Sequence, residues 1–211
     1  MRWVTLALVT LIGSAVLPAG TTVPFAVFQE DLHLGVSTDC GDGQTFTKLG
    51  VKWTSFPVSV NIASPDAASG DAIRRALATY EALEHPSGTF FIEQASSGAG
   101  IDVSFAPIDG ALGTLARTQI WYNRFTKAIV EVNIVFDSAE AWVVFAAVVC
   151  GSQGDGIDVE AVAAHELGHG VGLGHSSSST ALTMYPYYSL GATKQRTLAT
   201  GDAKGVAAVY K

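Results

Sequence analysis

With 211 residues, 48% of them hydrophobic, the chain is long enough to fold as one domain around a sizeable core. Nineteen acidic residues against twelve basic ones leave a formal charge of -7, which removes electrostatic support for nucleic-acid binding and favours solubility. Two cysteines allow one internal disulfide and no more.

Met1-Arg2 is a short positive start, followed by an almost wholly apolar run from Trp3 to Leu17 with the small residues Ala15, Ala19 and Gly20 near its end. A bilayer-spanning helix needs about 20 apolar residues, so this shorter run reads as a signal peptide over residues 1–20 and the protein as secreted. The competing reading is an uncleaved N-terminal segment that anchors the chain at a membrane. No other run is long enough to span, Trp142 to Val149 included, so no stable membrane insertion is expected. Residues 21–52 are mixed in character and form either a short pro-segment or a brace, with a turn-rich loop from Asp39 to Gln44. Cys40 has two readings: export permits a disulfide with Cys150, and a thiolate followed by Gly41 also suits zinc as the ligand of a latent form.

Composition shifts at Trp53, where the main domain (53–211) begins. Phe56 to Ile62 alternates through Val58, Val60 and Ile62 as a half-buried strand, and Ser64-Pro65-Asp66 punctuates it. Asp71 to Glu84 carries Ile73, Leu77, Tyr80 and Leu83 at helical spacing, with Arg74 and Arg75 toward solvent. Phe90 to Glu93 and Ile101 to Phe105 are strands separated by a small-residue loop, Ala116 to Tyr122 is an edge strand, and Ile129 to Phe136 is a strand with Val130, Val132 and Ile134 on one side. Asp158 caps a helix with Glu160 in its first turn, and Thr200 to Tyr210 is a last helix packing through Val206, Ala207 and Val209 with Asp202 near its start. A sheet with helices packed against it, an α+β fold, follows from this order.

The run His165-Glu166-Leu167-Gly168-His169-Gly170-Val171-Gly172-Leu173-Gly174-His175 carries the chemistry. Positions i and i+4 of a helix share a face, so His165 and His169 can meet one zinc ion, with Glu166 beside them. Gly172 allows the chain to turn out of the helix and bring His175 round as third ligand. Three protein ligands leave one position for a water, whose proton Glu166 takes as general base and then passes to the leaving amine.

This string resembles the metzincin consensus, and Ser176 directly after it resembles the matrixin branch of zinc endopeptidases. Met184-Tyr185-Pro186-Tyr187-Tyr188 is similar to the matrixin Met-turn, and the likeness runs from Trp53 to Tyr210. The resemblance implies the metzincin fold: a twisted mixed five-stranded sheet against two long helices, with a small C-terminal subdomain carrying the Met-turn and the last helix. It implies Met184 as an apolar floor beneath the zinc ligands and Pro186 and Tyr188 as walls of a substrate pocket. Asp137 and Glu140, with Asp102, become calcium candidates, and hard carboxylate oxygens suit that ion. Val135 stands where many animal matrixins have a histidine for a second zinc, and His33 and His85 do not make up that set.

The function expected is that of a secreted, monomeric zinc endopeptidase acting on protein or peptide substrates with one catalytic zinc and structural calcium. A substrate peptide would lie extended along an edge strand, for which Gly110 to Thr118 is the candidate. The alternative, a secreted zinc-binding adhesion or inhibitor-like module without catalysis, leaves Glu166 without a role.

Overall fold

Period-two alternation decides which strands form the centre of the sheet. The computed structural model describes residues 14–16, 22–35, 40–83, 88–94 and 98–211. The expected signal segment apart from 14–16, together with Thr21, Glu84, His85 and part of the loop before Ile101, lies outside them. In chain order the elements are β1 (Ser14–Val16), β2 (Thr22–Leu34), β3 (Thr47–Lys48), β4 (Val58–Ile62), α1 (Ala67–Glu81), β5 (Phe91–Glu93), β6 (Ile101–Ala106), β7 (Thr114–Asn123), β8 (Ile129–Asp137), β9 (Trp142–Val143), β10 (Ile157–Asp158), α2 (Val159–Gly170), β11 (Leu173–Gly174), β12 (Tyr187–Tyr188), a 3-10 turn (Lys194–Arg196) and α3 (Thr200–Tyr210).

Val58, Val60, Ile101, Val103, Ile120, Val132, Ile134 and Phe136 are all buried, so β4, β6, β7 and β8 share one inward apolar face. The order β7-β8-β6-β4-β5 makes the expected five-stranded mixed sheet, parallel except for the β7–β8 pair. β2 and β1 extend it beyond β7, and β12 pairs with β2. β7 is therefore an inner strand and not the edge that its sequence suggested. Val130 is also a correction. Trp121 pairs with Glu131 and Tyr122 with Ile129, a bulge that leaves Val130 unmatched and exposed instead of inward with Val132.

α1 starts earlier than its periodicity suggested because the carboxylate of Asp66 accepts from Ser69 N at 2.8 Å and caps the first turn. Its buried Ile73, Ala76, Leu77 and Tyr80 follow the i, i+3, i+4 rule, and Tyr80 donates its hydroxyl proton to Ala164 O of α2 at 2.7 Å. Arg75 does not simply face solvent: its Nε donates to Glu160 at 2.6 Å. α3 spans the expected residues but packs through Asp202, Gly205, Val206 and Tyr210, while Ala207 and Val209 are only partly covered. None of the described helices is long and apolar enough to cross a membrane.

Residues 40–53 wrap the base of the domain. Cys40 and Cys150 are joined in a disulfide, which removes the reading of Cys40 as a zinc thiolate in this form. Thr200 N donates to Asp42 at 2.7 Å, Gly201 N to Gly43 O at 2.7 Å, and β3 pairs with β11. The bridge closes a separation of 110 residues, so replacing both cysteines by serine should lower stability by about 4–5 kcal/mol on the chain-entropy model, read as the shift in a urea midpoint. A loss below about 1 kcal/mol would show that the other contacts of residues 40–53 already hold it.

Candidate active site

α2 is built to hold its side chains still. Asp158 caps it, accepting from Ala161 N at 2.9 Å, and Arg196 from the 3-10 turn clamps the same carboxylate through Nε at 2.7 Å and a terminal nitrogen at 2.6 Å. At the other end Trp53 Nε1 donates to Gly170 O at 2.9 Å and the Tyr210 hydroxyl to Val171 O at 3.0 Å, so the closing carbonyls have partners. Gly172 has φ +97, and a Cβ there would collide with Val51 O; the chain turns where only glycine fits.

The turn delivers the third imidazole. The Nε2 atoms of His165, His169 and His175 stand 3.1, 3.1 and 3.2 Å from one another. Three nitrogens bound tetrahedrally to zinc at about 2.0–2.1 Å would stand roughly 3.3 Å apart, so the triangle fits that ion. The outer nitrogens fix the tautomers. His165 Nδ1 lies 2.7 Å from Thr183 O and His169 Nδ1 2.9 Å from Leu173 O, and a carbonyl can only accept, so both Nδ1 atoms carry the proton. Their Nε2 lone pairs then converge, an arrangement that needs a cation between them.

Burial holds His165 down to about 3 and His175 to about 4, and pushes His169 well below the usual histidine range. In each case the next cause is a neighbouring histidine. All three are neutral near pH 7, as metal ligation requires. Among the described residues no fourth histidine, cysteine or carboxylate joins this group.

Glu166 is fully buried beside the triangle. Thr118 donates its hydroxyl proton to Oε2, while Oε1 has no partner among the described residues. Burial raises its pKa to about 8 against the lowering effect of the Thr118 bond, with Asp31 and Glu30 adding to the rise. One oxygen is thus fixed and the other left free to take a proton. Thr118 escaped the sequence reading, although a polar residue between inward Ala116 and Ile120 was a signal for it.

Met184 lies against α2 at Gly168. Met184 is buried, and a Cβ at Gly168 would collide with its sulfur, so a bare glycine lets α2 settle onto the methionine. Asp202 holds the turn from below, accepting from Thr183 N at 2.8 Å, Met184 N at 3.3 Å and Ala199 N at 3.0 Å. Tyr188 is buried, with its hydroxyl receiving Asp158 N at 3.0 Å and donating to Ala192 O; Pro186 is partly exposed beside β2.

The calcium candidates are not all brought together. Asp102, on β6, takes Asn61 Nδ2 and Gly98 N, both at 2.9 Å. Asp137 pairs across from Ala106, four residues further along β6, about 13 Å away. Asp137 and Glu140 do converge, on the loop before β7. Asp137 accepts from Asp109 N and Gly110 N at 3.0 Å and from Ala139 N at 2.9 Å, and Glu140 Oε1 accepts from Gly113 N at 3.2 Å. Burial raises the Asp137 pKa, but those amides outweigh it and leave a net lowering; burial raises Glu140, with Asp137 and Asp109 adding to the rise.

A residue the sequence did not single out completes the surroundings of the third histidine. Glu30 Oε2 of β2 stands 3.2 Å from His175 Nδ1, so the last imidazole has a carboxylate where the other two have carbonyls. Burial, with Asp31 second, raises the Glu30 pKa to about 7. The one available signal was an acidic residue between Phe28 and Leu32 on the inward face of an alternating stretch.

The profile of the matrixin family matches residues 51–211. The metalloendoproteinase 1-MMP of Arabidopsis thaliana is 39% identical over 104 residues, 49% of this chain and 26% of that protein. Karilysin of Tannerella forsythia is 40% identical over 83 residues, 39% of this chain and 15% of its own length. Neutrophil collagenase of Homo sapiens is 27% identical over 197 residues, 86% of this chain and 39% of that protein. The chain therefore spans well under half the length of each of these three relatives.

Proposed function

Starting from the matrixin family, to which this chain belongs, we propose that it is a zinc-dependent endopeptidase in which Glu166 is the general base. The observation that carries the reading is the convergence of three imidazole lone pairs beside a buried carboxylate with one free oxygen. His165, His169 and His175 hold the ion. Zinc bound there supplies Lewis acidity and a water that ionises near pH 7.

The rest falls to the chain itself. Thr118 fixes Oε2 of Glu166, which leaves Oε1 to accept the proton of the attacking water and return it to the departing amine. Thr183 O, Leu173 O and the Glu30 carboxylate keep the three rings oriented, and Met184 gives them an apolar floor. A peptide substrate binds extended, with Pro186 and Tyr188 walling the pocket for its side chain; it reaches the backbone of β7 and β12 only where β2, paired with both, gives way. Protein or peptide chains are the substrates, and the enzyme acts as a monomer.

Calcium belongs to the same proposal. Asp137 and Glu140 hold it at the loop before β7, with Asp109 alongside, because Glu140 Oε2 is buried without a hydrogen-bond partner among the described residues and a cation would satisfy it. Residues 1–20 direct secretion, and residues 53–211 are the catalytic domain.

The test is incubation of the purified protein with a mixed peptide library, with and without a chelator, and mapping of the cut positions. Cuts that vanish with chelator and return with zinc support the reading. Cuts that persist without metal would contradict it.

A further inference from the structure

The hairpin that joins β7 to β8 holds an aromatic ring out in solvent. Phe125 is 79% exposed, the most open large hydrophobic side chain among the described residues, and the exposed Arg124 and Lys127 flank it. We propose that this tip is a peripheral docking site for an anionic lipid surface, with Phe125 entering the interface and Lys52, Arg124 and Lys127 meeting the headgroups.

The turn itself presents the ring. Asn123 Oδ1 accepts from Phe125 N at 2.9 Å and from Thr126 N at 3.1 Å, while Asn123 N donates to Ala128 O and Lys127 N to Asn123 O, both at 2.8 Å. Lys127 takes φ +61, which completes the reversal. The backbone of the tip is thereby fixed with Phe125 uncovered. Below it Tyr122 is buried and stacks on Phe28 with ring centroids 4.8 Å apart, so the strand that carries the tip is anchored.

Charge selects the partner. Lys52 lies alongside the base of the hairpin, its N donating to Lys127 O at 3.1 Å and its O accepting from Ile129 N at 2.8 Å. Lys52, Arg124 and Lys127 are all exposed, and none has a carboxylate within 4.0 Å among the described residues. Lys127 Nζ instead stands 5.5 Å from the centroid of the Tyr122 ring. Three cations of a chain with a net charge of -7 are thus gathered, unpaired, at one corner. The acidity elsewhere is felt weakly there, because screening limits its reach to about 8 Å at physiological salt. Glu131, the nearest acidic residue along the two strands, is engaged by Asn133 Nδ2 at 3.0 Å. A dissolved polyanion would satisfy the cations and offer nothing to the ring. An anionic bilayer surface takes both, the ring at headgroup level and the ammonium and guanidinium groups above it.

One ring and three cations make a reversible contact and no permanent anchor. Thr118, the partner of Glu166, lies five residues before Asn123 on β7, about 17 Å along the strand, so docking at the tip leaves the three histidines clear of the lipid.

The experiment is co-sedimentation of the zinc-loaded full chain with vesicles of phosphatidylcholine, alone or with about 30% phosphatidylserine. At about fivefold per cation, binding to the anionic vesicles should be about 100-fold tighter at about 0.1 M salt, and about 0.5 M salt should remove most of the difference. Phe125→Ser should weaken binding to the anionic vesicles about tenfold, and Arg124→Gln combined with Lys127→Asn about 25-fold. Melting temperatures should not change, since the altered side chains are exposed. Any hold that the apolar run of residues 3–17 has on lipid is common to parent and variants, so the comparison reads the hairpin alone.

Equal binding to the two kinds of vesicle, or variants that bind the anionic ones as the parent does, overturns the proposal. A dimer that Phe125→Ser dissociates in sedimentation equilibrium also overturns it, by making the tip a contact between copies. So does soluble polyglutamate bound as tightly as the vesicles. None of these readouts uses hydrolysis, so the result stands apart from that of the endopeptidase reading.

Discussion

Glu166→Gln should lower peptide hydrolysis about a thousandfold while leaving zinc at one per chain, which is the loss expected when a positioned general base becomes an amide of the same shape. The substitution changes little else. The glutamine carbonyl can still accept from Thr118, so the side chain keeps its anchor, and no ligand nitrogen is touched. What disappears is the oxygen that has no partner and is free to take a proton. The variant should be no less stable than the parent without metal, because an amide brings no charge into this buried position. Rates and zinc content measured on one preparation separate the alternatives. Undiminished hydrolysis would show that another group is the base, and lost zinc would make Glu166 a ligand. A parent protein that binds zinc but cuts nothing would favour the non-catalytic module.

Asp158→Ala should lower stability by about 3–5 kcal/mol, because it strands a buried guanidinium. Asp158 is fully buried and serves four donors: Ala161 N as the cap of α2, Phe145 N at 3.2 Å, and two nitrogens of Arg196. Arg196 is itself buried, and its nearest other carboxylate, Glu160, lies at 3.6 Å and is shared with Arg75. The double variant Asp158→Leu with Arg196→Met should recover most of the loss, since two apolar side chains replace the pair without leaving a charge behind. Urea midpoints of the two single variants and the double variant measure the coupling. A cost for Asp158→Ala below about 1 kcal/mol would show that water reaches the guanidinium and that the helix start does not depend on this clamp.

The convergence of the three histidines, their helix and the place of Glu166 beside them were legible because their spacing is local. The i, i+4 pair, the glycine turn and the third histidine occupy eleven consecutive residues, and the structure keeps them on one helix and its exit. α3 was legible for a similar reason. The long strand β2 was not, because pairing partners ninety residues away decide it and its inward face carries Glu30 among apolar side chains. That omission also misplaced β7 as an edge.

Other features are set by tertiary contact and leave no local trace. Arg196 looks like an ordinary basic residue of a loop until the fold places it against Asp158. Val130 fits the alternation of its strand, but a bulge against β7 turns it outward. Asp109 and Thr118 matter through partners elsewhere in the chain, Asp137 N-terminal to β9 in one case and Glu166 in the other. The Asp66 cap left a local trace and was still missed: the helix was expected to begin at Asp71, although an aspartate just ahead of a helical stretch is a common N-cap.

The most direct measurement is X-ray absorption at the zinc edge of the loaded protein, with and without a small added thiol. Three imidazole nitrogens and one oxygen at about 2.0–2.1 Å are expected, the oxygen giving way to a single sulfur at about 2.3 Å when the thiol is present. Four protein ligands that the thiol does not displace, or fewer than three imidazoles on the ion, would contradict a catalytic centre here.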